Sequence, residues 1–380
     1  MKTDTRCVHS GSYFDTATGG INTPIFTSSA YDYRDREEAP YPRYFNTVNQ
    51  SAVVQKLCAL EEAEDGVLFS SGMAAMSTSL LAFAGAGDHV VLMDALYGGT
   101  HAFVTDTLER LGIGYAFAPT SSAAIVAAAT DRTRVIVIES PTNPLLTVVD
   151  IAEVARFARS RGITTIIDNT FASPINQTPL ALGIDIVVHS GTKYLGGHSD
   201  LCCGAALASQ TKAEKILHLA RHLGGSLNAI SCYLLERSLK TLALRVTRQT
   251  ANAGQIAVYL DGQAKVRRVH YPGLKDAPGH DLARAQMTGF GAMLSFELDS
   301  RQVPMDRFLR HLELIRPAVS LGGVETTICA PAVTSHARMT AEERHRIGVT
   351  DDLLRLSVGI EDPDDLREDL AQALGQANKE

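Results

Sequence analysis

The residues predict an α/β fold: a mostly parallel sheet with flanking helices, followed by a smaller α+β C-terminal domain. Two observations carry that expectation. Short, near-continuous apolar runs alternate with helical segments from about residue 66 to residue 209. A parallel sheet covered on both faces requires that pattern. At "VHYPGL" (269–274) the texture shifts to a looser mixture of strands and helices, as a second unit would show. The 380 residues suffice for both units, each with a substantial core.

The elements follow in order. Residues 1–48 are rich in Gly, Pro, Tyr and Asp and show little periodicity, so they read as an extended N-terminal arm. From Asn49, placed as a helix cap, Val53, Leu57 and Leu60 recur at helical spacing through about Glu64. "GVLFS" (66–70) is a strand before a helix from about Met73, and "HVVLM" (89–93) one before a helix from about His101. "IGYAFA" (113–118) precedes an alanine-rich helix, and "RVIVIES" (134–140) one beginning near Asp150. "ITTIID" (163–168), "DIVVHS" (185–190) and "GAALAS" (204–209) complete the series of strands. A long helical region around 230–260 leads into the second unit, with the strand "AMLSFEL" and a helix over 305–315. The expected division is an arm (1–48), an α/β domain (49–250) and an α+β domain (251–380), with the boundary near 245 to 265.

Bulk properties narrow the class. Hydrophobic residues at 45% and charged residues at 20% mark a soluble globular chain rather than a disordered one. A net charge of −7 argues against nucleic acid as a partner. No apolar run is long enough to span a membrane, and "MKTDTRCVHSGS" is too polar for a secretory signal, so the cytoplasm is expected. Cys7, Cys58, Cys202, Cys203, Cys232 and Cys329 form no CxxC pair and read as reduced, mostly buried thiols. The histidines lack ligand spacing, so no metal site is expected.

In open α/β sheets ligands bind beyond the carboxyl ends of the strands, and three features fall there. In "FSSGMAAM", Ser70, Ser71, Gly72 and Met73 link a strand to a helix, where backbone N–H groups can meet a phosphate. An ordinary tight turn is the commoner origin of such a stretch. In "IIDNTF", Asp168 ends an apolar strand, where a carboxylate is costly without a positive partner, although it could simply cap the next segment. In "DIVVHSGTKYLGGHSD", Lys193 follows another strand end between Ser190, Thr192 and several glycines. Most such lysines only reach for water. Together, however, these are the parts that hold pyridoxal 5'-phosphate. Lys193 would form a Schiff base with it, and Asp168 would keep its ring nitrogen protonated. Ser190 and Thr192 would join Gly72 and Met73 at its phosphate.

The stretch "HSGTKYLGGHSD" closely resembles the cofactor-lysine signature of the Cys/Met-metabolism PLP-dependent enzymes, the transsulfuration family of cystathionine synthases and lyases. "LYGGT", "ESPTNP", "VDIAEVA", "DNTFASP", "YPGL" and "LRLSVGIEDPDDL" resemble further landmarks in family order, from about residue 20 to the end. The resemblance implies the type I, aspartate-aminotransferase-like PLP-dependent transferase fold. It also implies that Tyr97 stacks on the cofactor ring and assists proton transfer by Lys193. Arg355 would clamp the substrate α-carboxylate, helped by Asn143 and the Ser320 backbone. Tyr41 and Arg43 match a Tyr-x-Arg pair that reaches the phosphate of a neighbouring subunit. A homo-oligomer with shared sites, a tetramer built as a dimer of dimers, is therefore expected.

Departures from the family pattern bear on the reaction. Val319 stands before Ser-Leu-Gly where cystathionine γ-synthases and γ-lyases usually carry Glu, an acid that can pair with the distal amine of cystathionine. Gly99 stands where methionine γ-lyases carry Cys. Asn46-Thr47-Val48 replaces Asn-Pro-Thr, and Ser231 replaces a frequent Asp. The expected activity is that of a C–S lyase on cystathionine or a related sulfur amino acid. Behind it stand γ-elimination from methionine or homocysteine, then γ-replacement on an acylated homoserine. A non-catalytic PLP-binding protein is the reading from another class, and the presence of Lys193, Asp168 and Arg355 together argues against it.

Overall fold

In the computed structural model, which describes residues 1–337 and 339–377, seven strands build the first sheet. They are β1 (Asp65–Phe69), β2 (His89–Met93), β3 (Gly114–Ala118), β4 (Thr133–Glu139), β5 (Thr164–Asp168), β6 (Ile186–Ser190) and β7 (Gly204–Ala208), in the order β1-β7-β6-β5-β4-β2-β3. The pairs from β3 through β6 are parallel. Their apolar runs are buried because helices cover both faces: Val90, Val91, Ile136, Val137, Ile166, Ile167, Ile186 and Val187 are all fully enclosed.

One strand departs from the expected series. β7 is antiparallel to both β6 and β1. The chain returns from β6 through a loop rather than a crossover helix, and only an antiparallel neighbour can be reached that way. That loop, 191–203, carries Lys193. The sheet is mostly parallel, as expected, and its one reversal lies beside the site.

Two further details differ from the sequence reading. The cap of the helix Val48–Glu61 is Thr47, not Asn49: Thr47 and Gln50 form a reciprocal capping box. Asn49 instead accepts from Phe26 N–H at 2.9 Å and donates to Pro24 O at 2.8 Å, tying the arm to the helix. Nor is the arm extended throughout. It begins with a helix, Thr3–His9, whose Cys7 is buried and whose Cys7 carbonyl accepts from Lys56 Nζ at 3.0 Å.

The second sheet holds β8 (Val266–His270), β9 (Met293–Leu298), β10 (Arg316–Pro317), β11 (Thr327–Cys329) and β12 (Leu353–Ser357), ordered β10-β11-β12-β9-β8. It follows the helix Leu242–Asp261, which runs unbroken across residue 250. Arg248, Gln249 and Asn252 on that helix donate to backbone carbonyls around Gly323, Val358 and Glu361. A long element thus fastens the second sheet to the first, and β12 reaches the carboxyl edge of the first sheet with Arg355. No helix among the described residues is long and apolar enough to cross a membrane.

Candidate active site

A cavity of about 500 Å³ opens where the two sheets meet. Gly72, Met73, Tyr97, Asn143, Asp168, Ser190, Thr192, Lys193, Val319, Ser320 and Arg355 all line it. Eleven residues scattered through the sequence reading therefore share one space. Tyr41 and Arg43 do not: Arg43 donates to Arg221 O at 2.8 Å and lies over the rings of Tyr41 and Tyr44, away from the cavity of its own chain.

The polar cradle around Gly72 and Ser190 is built by a close approach of two elements. Ser71 caps the helix Gly72–Phe83, its Oγ accepting from Ala74 N–H at 3.1 Å. Ala75 N–H is taken by Ser71 O. The N–H groups of Gly72 and Met73 have no acceptor among the described residues, at the positive end of a twelve-residue helix. A Cβ on Gly72 would come within 2.8 Å of Ser190 Cβ, so only glycine lets the helix start sit against the end of β6. Thr192 is more occupied than expected, since its Oγ1 accepts from Cys203 N–H at 3.1 Å and lies 3.3 Å from Cys203 O.

At the floor, Asp168 closes β5. Its Oδ1 accepts from Thr170 N–H at 3.0 Å, and Thr170 Oγ1 in turn accepts from Ser190 N–H at 2.8 Å, so the carboxyl and the cradle are linked. Burial raises the Asp168 pKa, against the lowering pull of Thr170 and of the His189 and Lys193 charges. No salt bridge to it is formed among the described residues. A cationic ring nitrogen would supply the missing countercharge.

Lys193 Nζ donates to Ser320 Oγ at 2.9 Å. Burial lowers its pKa first, and the positive charge of Arg355 second, which favours the neutral, nucleophilic amine. Arg355 itself is 5% exposed; one terminal nitrogen donates to Asn143 Oδ1 and the other to Ser320 O, both at 2.9 Å. Its Nε is buried without a partner among the described residues. Val319, 69% exposed, and Tyr97, 48% exposed, stand at the rim.

The donor set fits pyridoxal phosphate: two free N–H groups and the Ser190 hydroxyl for the phosphate, an uncompensated acid for the ring nitrogen, and a depressed-pKa lysine for the aldehyde. Sequence reasoning missed Glu139, which lines the same cavity at the end of β4 and pairs in register with Asp168 on β5. Two neighbouring apolar runs each ending in an acid, "RVIVIE" and "ITTIID", were the available signal. It also missed Thr170, Cys202, Thr334 and Ser335 on the lining.

Comparison with known proteins agrees with this geometry. The family model described as Cys/Met metabolism PLP-dependent enzyme matches residues 4–375. The chain is 43% identical to the cystathionine gamma-lyase of Bacillus subtilis (strain 168), over 98% of this chain and 99% of that one. It is 41% identical to the cystathionine beta-lyase of Coxiella burnetii, over 98% and 97%. A crystal structure of cystathionine gamma-lyase from Lactobacillus plantarum, complexed with L-serine, superposes with a TM-score of 0.95 at 39% identity and full coverage of both chains.

Proposed function

The chain belongs to the Cys/Met metabolism PLP-dependent enzymes, and from that premise we propose that it is a C–S lyase acting on cystathionine or a related sulfur amino acid. The observation that carries this reading is the continuous polar wall from Lys193 through Ser320 to Arg355 and Asn143, in a cavity that Leu321, Cys329 and Val319 also line. The polar wall suits an amino acid's amine and carboxylate, and the apolar lining residues suit a thioether.

Arg355 binds the α-carboxylate with a fork whose direction is set by Asn143 Oδ1 and Ser320 O. Gly72, Met73 and Ser190 would hold the cofactor phosphate, and Tyr97 would cover its ring. Asp168 would hold the ring nitrogen in its protonated form. When bound, the cofactor supplies an electron sink for the carbanion formed at the substrate Cα. The neutral amine of Lys193, steered by Ser320 Oγ, takes the Cα proton. Loss of a thiolate from Cβ needs that single proton transfer. Loss from Cγ needs a second, at Cβ, for which Lys193 is the available base.

A Cβ on Gly99 would lie 2.5 Å from Tyr97 Cε1, so a cysteine there would displace the ring from its present place. That supports a cystathionine-type substrate over methionine. The test is a product assay with cystathionine, with methionine, and with acyl-homoserine plus cysteine. Pyruvate with homocysteine identifies β-elimination, and 2-oxobutyrate with cysteine γ-elimination; either supports the lyase reading. Turnover of methionine but not of cystathionine keeps the lyase reading and moves the substrate to methionine, whereas turnover of acyl-homoserine with cysteine and of neither other substrate overturns it. Borohydride reduction should fix the cofactor mass on Lys193, and label on another lysine would refute the assignment.

A further inference from the structure

Glu139 ends β4 inside the cavity, is 4% exposed and forms no salt bridge among the described residues. Beside Asp168 it is an expensive residue to bury, and burial and that neighbouring acid push its pKa well above the carboxylate range. Its two oxygens are nonetheless fully used. Oε2 accepts from Tyr97 N–H at 3.0 Å, and Oε1 accepts from Asn143 N–H at 3.1 Å. Tyr97 is the residue before the short helix Gly98–Phe103. Asn143 continues, through its own Oδ1, to Arg355.

One side chain therefore joins two loops at the cavity: the loop that carries Tyr97 and the loop whose Asn143 accepts from Arg355. We propose that Glu139 is a positioning residue for substrate recognition, fixing Asn143 and hence Arg355 relative to the Tyr97 loop. The inference rests on Arg355 binding the substrate α-carboxylate. Glutamine cannot take over this task. One of its two heads is an NH2 group, which would face a backbone N–H and leave that donor unpaired in a buried place.

The test uses Glu139→Gln and Glu139→Asp holoenzymes, with cofactor content verified by absorbance. Glycine, which has a carboxylate but no leaving group, and methylamine, which lacks the carboxylate, are titrated against the cofactor's absorbance change. Glu139→Gln should weaken glycine about tenfold, as loss of one buried hydrogen bond would, and leave methylamine within about twofold. Substrate KM should rise with kcat changed less. Equal weakening of both ligands, which general loosening would cause, overturns the proposal, as does no change for either. If Glu139→Gln does not load cofactor, the same comparison in Glu139→Asp, which reaches only one of the two N–H groups, decides between these outcomes. Arg355→Gln is the separate control: if it does not discriminate glycine from methylamine, the carboxylate assignment itself fails, whatever Glu139 does.

Discussion

His336 shows how the buried charge of Arg355 acts on its surroundings. The imidazole is 5% exposed, with Nδ1 2.9 Å from Ser335 Oγ. Burial first, then the positive charges of Arg355 and Arg344, push its pKa down to about 4. A base whose folded pKa lies below its unfolded value of 6.5 is protonated first in the unfolded chain, so acidification favours unfolding. The penalty begins near pH 6.5, grows as pH falls and is complete below about 4. It is worth on the order of 3 kcal/mol. His336→Gln should flatten the acid limb of a stability curve measured by urea unfolding across that window; an unchanged limb would refute this role. Lys193 and Asp168 were legible in the sequence because charged residues at the ends of apolar runs are conspicuous, whereas Arg355, mid-strand in β12, was singled out only through the family resemblance. Glu139 ends an apolar run in the same way and could have been read from it, whereas His336 could not, since its shift depends on burial and on distant charges that leave no pattern along the chain.

Among the elements, strands were the most legible, because burial on both faces demands β-branched runs with little else in them. The same burial hides direction. Nothing in "GAALAS" distinguishes a parallel strand from the antiparallel β7, and the reversal follows only from the loop that precedes it. That reversal matters, because it threads the helix start past β7: a Cβ on Gly204 would lie 2.2 Å from Ser71 O. The cradle is thus a packing problem at two glycines, Gly72 and Gly204. Gly72→Ala adds a methyl group 2.8 Å from Ser190 Cβ, and the helix start and the end of β6 must part. The N–H groups of Gly72 and Met73 then no longer converge with the Ser190 hydroxyl. Pyridoxal phosphate binding to apoprotein should weaken at least about tenfold, since a phosphate site loses affinity steeply when charge-assisted hydrogen bonds lengthen. The measurement is a fluorescence titration with cofactor, and wild-type affinity in Gly72→Ala would show that the cradle does not need this contact.

At the scale of the molecule, the two-part division follows from the change of texture after residue 260, whereas the helix Leu242–Asp261 that binds the parts together gave no boundary signal. The arm leaves a sharper question. Tyr41 and Arg43 lie outside the cavity of their own chain: Tyr41 meets Tyr44 edge-on, and Arg43 lies over the Tyr44 ring and donates to Arg221 O. If they complete the phosphate site of a neighbouring subunit, a chain defective in Lys193 still carries a good arm, and a chain defective in Arg43 still carries a good lysine. Lys193→Ala and Arg43→Ala proteins, each nearly inactive alone, should then complement when unfolded together and reassembled. In a hybrid dimer one site receives both good parts and the other neither. Random mixing makes half of the dimers hybrid, so activity should recover to about one quarter of wild type. Refolding the two variants separately before mixing provides the baseline. No recovery above that baseline in co-refolded protein would mean that each arm serves its own chain, and the Tyr41–Arg43 pair would then be a surface packing feature rather than part of the site.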